Sequence, residues 1–306
     1  MTLHLCRLYG LTIASPFPLP GAHPLATAST PDVTIVWEPE TAWRDLADTQ
    51  QIPPHDPDAP HVGATADGDL SIAWRRELQL ILAASHDRIT VVCTRAKLEF
   101  APTVLVGIGL GLLLHRRGIV CLHGSVIALK GRTFALLGDS GTGKSTAAAA
   151  LVAHGGTLVS DDIAALRPDG DGFTVAWGCA NVRLGPAASA RIVGTDQLAT
   201  VPWIDKLMWD VSGNASAAHL PAPRLDALYL LGPAADEDGV TISAPIASAR
   251  ALPRLVDSWY PQGFTPLLTQ PRFDSLRAIA ERVPMFDLSY PRRWDILPQL
   301  IAALGG

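Results

Sequence analysis

Hydrophobic residues recur at every second position in two stretches of the first hundred residues. The odd positions of 33–37 are Val, Ile and Trp, and the even positions of 70–74 are Leu, Ile and Trp. This spacing is typical of half-buried β-strands, whose side chains alternate between two faces. Arg88–Cys93 is a short apolar run that favours a third strand. We therefore predict a β-rich region over residues 1–100.

Proline-rich segments interrupt this region, and because proline lacks the amide donor they can be neither helix nor central strand. Residues 53–60 contain four prolines and are predicted to form a surface loop, and Pro16–Pro20 is predicted to be extended. The pattern changes near residue 100. The apolar stretch Thr103–Arg117 follows a proline and precedes a glycine, which predicts a helix. We therefore predict two domains, 1–100 and 101–306.

Strands and helices alternate in the second region, which predicts an α/β fold. The expected elements are the strands Val120–Ala128 and Thr133–Leu137, a loop at 138–143, the helix Lys144–His154, the strand Thr157–Ser160 and a terminal amphipathic helix Ile296–Leu304.

The composition is that of a globular protein, with 48% hydrophobic and 17% charged residues among 306. A net charge of −5 argues against a nucleic-acid partner. The four cysteines form no CxxC pair, which favours free thiols in a reducing compartment. The most apolar run, Val104–Leu114, is too short to cross a membrane, and the first residues do not have the pattern of a signal peptide. We predict a soluble cytoplasmic protein without a membrane partner.

The segment GDSGTGKS fits the P-loop (Walker A) pattern G-x-x-x-x-G-K-[ST] at every fixed position. Its glycines let backbone N–H groups converge on phosphate oxygens, and the following helix directs its positive end at the same anion. Lys144 is predicted to reach the β- and γ-phosphates and Ser145 to bind Mg²⁺. The alternative is a glycine-rich turn with a surface lysine. The predicted nucleotide-binding residues are Gly138, Asp139, Ser140, Gly141, Thr142, Gly143, Lys144, Ser145 and Thr146.

Two further features have the residue types that phosphoryl transfer needs. Asp161 and Asp162 follow an apolar strand, the place where P-loop proteins carry a carboxylate for Mg²⁺. Successive strand residues face opposite ways, so one aspartate could serve the metal while the other accepts a proton. His123 lies on the strand before the P-loop strand and could orient an aspartate. The alternatives are a solvated turn for the aspartates and a packed core residue for the histidine.

These elements, in this order, resemble the HPr kinase/phosphorylase family, which carries a His-Gly pair, then GDSGxGKS, then an Asp-Asp pair. The resemblance covers residues 119–167. It implies a P-loop kinase core of the HPr-kinase type that transfers the γ-phosphate of ATP, with Mg²⁺, to a serine hydroxyl. By position, Asp161 would be the catalytic base with His123 as its partner, and Asp162 and Ser145 would bind the metal. Lys144 would hold the phosphates, and the division of roles between the aspartates stays open.

Outside the shared motifs, the sequence is closer to HPr kinase-like proteins found with peptide-modification genes, including those that phosphorylate a serine of a lasso-peptide precursor. Trp177–Gly185 replaces the family's glycine-rich signature, and Thr146 stands where the family often has glutamate. The residues Tyr9–Leu11 and Pro18–Pro20 resemble the layout of that subgroup. This resemblance implies a peptide or small-protein partner with an acceptor serine. The acceptor's identity, ATP versus GTP, a reverse phosphorylase reaction and a homo-oligomer stay open.

A transferred phosphoryl group needs cations around it, and Arg183 and Lys206 are candidates for contact with substrate or phosphate. Both could equally be surface charges. Trp203 and Trp209 flank Lys206 and could form a substrate-facing flap or part of the core. Two other functions are considered: a nucleotide-binding switch or scaffold without transfer activity, and a kinase for a small metabolite.

Overall fold

The structure is a computed structural model that describes residues 3–26, 29–51, 59–195, 198–200, 205–212, 220–233, 239–261 and 269–305, the side chain of Asp48 excepted. Most of the predicted loop at 53–60 lies outside these residues, as does Trp203.

The strands are β1 (His4–Leu8), β2 (Leu11–Ser15), β3 (His23–Pro24), β4 (Val33–Glu38), β5 (Ala47–Gln51), β6 (His61–Ala64), β7 (Leu70–Trp74), β8 (Leu78–Leu82), β9 (Arg88–Cys93), β10 (Val120–Leu129), β11 (Arg132–Leu137), β12 (Thr157–Ser160), β13 (Ile163–Asp169), β14 (Gly172–Val175), β15 (Asn181–Leu184), β16 (Ala199–Thr200), β17 (Leu207–Asp210), β18 (Ala227–Leu231), β19 (Thr241–Ile242) and β20 (Met285–Ser289).

The helices are α1 (Ala101–Val104), α2 (Leu110–Arg116), α3 (Lys144–Ala153), α4 (Pro186–Ala188), α5 (Ser248–Asp257), α6 (Gln270–Arg282) and α7 (Leu297–Gly305). Two π-helical turns occupy Leu105–Gly109 and Ser189–Val193, and 3₁₀ turns occupy Glu40–Ala42, Arg95–Glu99 and Trp294–Ile296. None of the helices in the described part of the chain is both long enough and apolar enough to span a membrane.

The N-terminal strands form one sheet in the order β3-β1-β2-β4-β9-β8-β7-β6-β5. The three strands predicted from periodicity are confirmed as β4, β7 and β9. Apolar residues of these strands face a common core, in which Ile35, Ile72 and Val91 are almost completely buried. The β-rich character of the first hundred residues is therefore confirmed, while the domain division at residue 100 stays a proposal.

The predicted helix Thr103–Arg117 begins two residues earlier and is not regular. It runs as α1, then the π turn Leu105–Gly109, then α2. Pro102 lies in the first turn, where its missing N–H has no intrahelical partner to lose. A Cβ on Gly109 would come within 3.0 Å of Leu80, so the glycine lets the wide π turn approach β8 closely. The helical segment packs into the same core as the N-terminal sheet.

The second sheet has the order β14-β13-β10-β11-β18-β20-β19, and β12 pairs with one half of β10. The strands β11, β18 and β20 run parallel, so their carboxyl ends meet at one edge. Side chains of β11 alternate between two cores. Phe134 and Leu136 pack with α3 and α7, and Ala135 and Leu137 pack with α5 and α6. This arrangement of helices on both faces confirms the predicted mixed α/β class.

A small sheet of β15-β17-β16 lies beside α3, and its Val182 and Leu184 share the core of that helix. The predicted strands around the glycine-rich segment are confirmed as β10, β11 and β12, and the predicted helix after it is confirmed as α3. The terminal helix is confirmed as α7, preceded by a 3₁₀ turn.

Candidate functional site

The glycine-rich segment forms the connection between the carboxyl end of β11 and the first residue of α3. Gly138 and Gly143 have φ angles of 139° and 93°, which L side chains rarely adopt. A Cβ on Gly138 would lie 2.8 Å from the carbonyl oxygen of Leu231 on the neighbouring strand. Gly143 is the N-cap of α3, so the loop lies at the N-terminus of that helix, which is the positive end of its dipole. This geometry can hold a polyphosphate chain.

Lys144 is buried beneath this loop, with 7% of its surface exposed. Its Nζ donates to the carbonyl oxygens of Gly138 at 2.7 Å and Asp139 at 2.8 Å, which uses two of the three ammonium donors. Burial lowers the pKa of Lys144 below its usual value, and the nearby Asp161 opposes that shift. The loop thus fixes a cation at its own centre. The alternative of a surface lysine is wrong, because the side chain is buried.

Asp161 lies directly after β12 and is also buried, with 4% of its surface exposed. The Ser125 hydroxyl donates to its Oδ1 at 2.5 Å, and the Ser145 hydroxyl donates to its Oδ2 at 3.5 Å. Burial raises the pKa of Asp161, and the adjacent Asp162 raises it further, while the Ser125 hydrogen bond and Arg183 lower it. This carboxylate therefore sits against the P-loop helix rather than against solvent.

Asp162 occupies a turn between β12 and β13, where its φ of 74° places it in the left-handed region. Its Oδ1 lies 3.5 Å from His123 Nδ1, and its Oδ2 lies 3.2 Å from Arg183 Nη1. The left-handed turn brings both carboxylates to one cleft, although strand geometry predicts that successive residues face opposite ways. The alternative of a solvated turn is therefore wrong for Asp161, which is buried.

His123 projects from β10 beside this turn, and its Nδ1 lies 3.2 Å from the carbonyl oxygen of Asp162. Burial lowers the pKa of His123 below its usual value, with Asp162 opposing the shift. The Tyr260 ring stacks on it with a centroid distance of 6.1 Å and an interplanar angle of 22°.

These side chains line one cleft of about 500 Å³ at the carboxyl edge of the sheet. Arg183 and Lys206 both reach the cleft, so the structure brings the two predicted cations together with the carboxylates. Burial of Arg183 lowers its pKa, but the neighbouring Asp162 outweighs that effect and raises the pKa above its usual range. The lining residues are His123, Gly124, Ser125, Ser140, Gly141, Gly143, Lys144, Ser145, Thr146, Asp161, Asp162, Arg183, Gly185 and Lys206.

Three predicted nucleotide-binding residues do not line this cleft and instead shape the loop. Gly138 makes the tight exit from β11, and the Thr142 hydroxyl donates to the carbonyl oxygen of Asp139 at 2.8 Å. Trp209, proposed as part of a flap, is half-buried on β17 and packs against the core around α3.

Ser125 and Tyr260 were not among the predicted site residues. Ser125 lies two positions after His123 on β10, so strand periodicity alone places both on one face. No pattern near Tyr260 in the sequence predicts its contact with His123. It reaches the histidine because its backbone N–H donates to the carbonyl oxygen of Cys121 at 2.9 Å, which pairs a distant segment with β10.

Residues of the N-terminal sheet contact the segment behind Asp161. The backbone N–H of Asp161 donates to the carbonyl oxygen of Cys179 at 3.2 Å. Next to that residue, Ala180 N donates to Gly21 O at 2.9 Å, and His23 Nε2 lies 3.0 Å from Gly178 O. The backbone N–H of Tyr9, at the turn between β1 and β2, donates to the carbonyl oxygen of Trp177 at 2.7 Å.

The oxygen donors of the site suit a hard cation such as Mg²⁺. Asp161 Oδ2 and Ser145 Oγ lie 3.5 Å apart, and protein sites commonly bind Mg²⁺ through one or two such oxygens together with substrate phosphates. In the part of the chain that the structure describes, no cluster of three or more His, Cys, Asp or Glu side chains could hold a metal alone. The site therefore fits a metal shared with a phosphate ligand.

The geometry defines a glycine-rich strand–loop–helix site, with two carboxylates and a histidine lining the cleft beside the loop. A curated protein named HPr kinase/phosphorylase from Mycoplasmopsis pulmonis (strain UAB CTIP) is 36% identical to this chain over 83 residues. This similarity confirms the predicted resemblance to HPr kinase/phosphorylase. The matched segment spans 27% of this chain and about a quarter (26%) of that relative.

No family model matches the chain. Among solved structures, the Hpr(Ser) kinase/phosphatase from Coxiella burnetii aligns with a TM-score of 0.33 and 11% sequence identity. That alignment covers 60% of this chain and 87% of the Coxiella chain.

Proposed function

We propose that this protein is an ATP- and Mg²⁺-dependent kinase that phosphorylates a serine of a peptide or small protein, such as a lasso-peptide precursor. The observation that carries this proposal is the meeting of Asp161, Asp162 and His123 in one cleft with Lys144 of the phosphate loop. A site that only binds nucleotide has no need of a second carboxylate beside a histidine. The partial likeness to HPr kinase/phosphorylase supports the same reaction class.

In the proposed reaction, the serine hydroxyl oxygen of the acceptor forms a bond to the γ-phosphorus of ATP. The bond between that phosphorus and the β–γ bridging oxygen breaks, and ADP leaves with the bridging oxygen. The hydroxyl proton passes to an aspartate carboxylate. The loop amides, Lys144 and Arg183 stabilise the negative charge that spreads over the transferred group.

The contacts favour Asp162 as the base and Asp161 as the metal-binding carboxylate. Asp161 lies against the Ser145 hydroxyl, while Asp162 is more exposed and contacts His123 and Arg183. This division is the reverse of the one that the family resemblance implies. Mg²⁺ bound by Asp161 and Ser145 would neutralise charge on the β- and γ-phosphates. His123 Nδ1 would donate to the backbone carbonyl oxygen of Asp162, 3.2 Å away, and so hold the turn that carries the Asp162 carboxylate.

The four cysteines are buried free thiols, which supports a reducing compartment such as the cytoplasm. We retain the proposed division into a smaller N-terminal domain, 1–100, and a catalytic domain, 101–306. A homo-oligomer also stays a proposal, and light scattering of the purified protein would test it.

A transfer assay with [γ-³²P]ATP and peptides ending in serine tests the proposed function. Asp162→Asn should reduce transfer by about 10²- to 10⁴-fold, the usual contribution of a general base, and should leave ATP affinity within a few-fold of wild type. Asp161→Asn should instead raise the Mg²⁺ concentration required for half-maximal transfer. Asp171→Asn is the matched control, because this aspartate is 87% exposed and does not line the cleft.

The outcomes separate the candidate functions. If Asp162→Asn transfers phosphate normally and Asp161→Asn transfers none, Asp161 is the catalytic base. If wild type labels small anionic metabolites but no peptide, the small-metabolite kinase is correct. If it binds ATP and labels neither class, the nucleotide-binding switch or scaffold is correct.

A further inference from the structure

A second cavity of about 230 Å³ lies on the other side of the phosphate loop. Gly141, Gly143 and Thr146 line both this cavity and the catalytic cleft, so the loop and the first turn of α3 border both spaces. The remaining walls come from the end of the chain, where Tyr290, Arg292, Arg293, Trp294 and Leu297 line it.

The sheet topology explains why the C-terminal residues reach the loop. β11, β18 and β20 are parallel neighbours, so the segments that follow them emerge at the same edge. The phosphate loop follows β11, and Tyr290 follows β20 directly. Arg292 bridges these segments, since its Nη2 donates to the carbonyl oxygen of Gly232, after β18, at 2.7 Å.

The position of Lys144 sets the direction of a bound triphosphate. A P-loop lysine reaches the β- and γ-phosphates, and the loop amides hold the α- and β-phosphates. Lys144 lines the catalytic cleft and not the second cavity, so the γ-end of the chain belongs in the cleft. The opposite end, which carries the nucleoside, must then leave the loop on its other side, where the second cavity lies.

The walls of this cavity have the chemistry that a nucleoside requires. Trp294 is 40% exposed and lines the cavity, so part of its ring is accessible to a ligand there. An aromatic ring is the group on which nucleobases stack. The Arg292 guanidinium lies 3.9 Å from the centre of the Tyr290 ring and also donates to Tyr290 O at 3.2 Å, so it is held rigidly. Its Nε would be 3.7 Å from a Cβ on Gly143, which places a fixed cation beside the loop.

We propose that this cavity is the nucleoside subsite, in which Trp294 stacks on the base and Arg292 faces the α-phosphate and ribose. The inference rests on the proposed nucleotide-binding function and extends it to a part of the ligand that the P-loop motif does not specify. It predicts that the two ends of the ligand are recognised by separable groups: Lys144 for the phosphates and Trp294 for the base.

Isothermal titration of the full chain with ATP and with inorganic tripolyphosphate, both with Mg²⁺, tests this separation. Trp294→Ala should weaken ATP binding by about 5- to 150-fold, the range that corresponds to loss of one base–aromatic stack. Tripolyphosphate has no base, so its affinity should stay within twofold of wild type. Trp294→Phe should restore most of the ATP affinity, because it keeps an aromatic face.

The controls distinguish this inference from the proposed function itself. Lys144→Ala should weaken both ligands, and Phe273→Ala should weaken neither, since this ring is also exposed but does not line the cavity. If wild type binds tripolyphosphate and ATP but Trp294→Ala binds ATP normally, the nucleoside subsite is wrong while the phosphate site stands. Equal losses for both ligands in Trp294→Ala would also refute it. If wild type binds neither ligand, both proposals fail.

Discussion

Replacement of Ser125 by alanine should destabilise the protein in a pH-dependent way. Ser125 is buried on β10, and its hydroxyl donates to Oδ1 of the equally buried Asp161 at 2.5 Å. Removal of the hydroxyl leaves that carboxylate oxygen without this donor, while the backbone of β10 and its pairing with β11 should be unaffected.

The size of the effect follows from the charge on Asp161. A hydrogen bond to a charged group contributes about 1.5–3 kcal/mol, and a neutral one about 0.5–1.5 kcal/mol. Because the bond stabilises the ionised carboxylate more than the protonated one, loss of the hydroxyl should raise the pKa of Asp161. Ser125→Ala should therefore lower the free energy of unfolding by about 1.5–3 kcal/mol where Asp161 is ionised.

The sign of the pH dependence is fixed by burial, which already raises the pKa of Asp161 above 3.8. A carboxyl group whose pKa is higher in the folded protein binds protons more readily when folded, so its contribution to stability falls as pH rises through that pKa. As pH rises through this range, the free energy of unfolding should fall more for Ser125→Ala than for wild type. The difference between them should grow from acidic pH to pH 8.

Urea unfolding of wild type and Ser125→Ala, followed by tryptophan fluorescence at several pH values between 4 and 8, would measure this difference. The same substitution in an Asp161→Asn background is the control, because the carboxylate is then absent. A destabilisation that is equal at every pH, or equal in both backgrounds, would refute the reasoning and reduce Ser125 to a packing residue.

Two further predictions concern residues around the same turn. His123→Gln should shift the acid limb of the transfer rate to lower pH, because burial places the pKa of His123 below 6.5, and below that pKa the imidazolium would weaken Asp162 as a base. A pH–rate profile measures this shift. Gly178→Ala should lower the free energy of unfolding, measured with urea, by about 1–3 kcal/mol, because the added Cβ would overlap Ser160 Oγ. Gly185→Ala, with no neighbouring atom within 4 Å of the added Cβ, should stay near wild type.

Unchanged acid limbs in wild type and His123→Gln would remove the histidine from the proposed mechanism. Equal stabilities of the two glycine variants would show that the segment at 178 can move aside, and the close packing behind Asp161 would then not be rigid.

Local patterns in the sequence were sufficient to predict six of the strands and the glycine-rich loop before α3. β4, β7 and β9 follow from alternation of apolar residues, and the loop after β11 follows from its glycines and Lys144, because each of these signals lies within a few residues. The helix before β10 was only partly predictable, since its π turn depends on contact with β8, which lies about 25 residues earlier.

The candidate site contains features that no local pattern could supply. Adjacent aspartates were predicted to divide their roles, but the left-handed turn at Asp162 that lets both face one cleft is a property of the folded backbone. Tyr260 reaches His123 through pairing of a distant segment with β10. Trp294 borders the loop because β20 runs parallel to β18 and β11, and no short stretch of sequence specifies the order of strands in a sheet.

The contacts of Tyr9, Gly21 and His23 with residues 177–180 have a consequence for any attempt to divide the chain. The Cys179 carbonyl oxygen accepts a hydrogen bond from the backbone N–H of Asp161. The neighbouring residues of that segment are hydrogen-bonded to Tyr9 and Gly21. A fragment that starts at residue 101 would lack these hydrogen bonds, so the segment that packs behind Asp161 would lose its contacts with the N-terminal residues. The N-terminal sheet thus supports the geometry of the candidate site, and the two proposed domains should be expressed as one polypeptide.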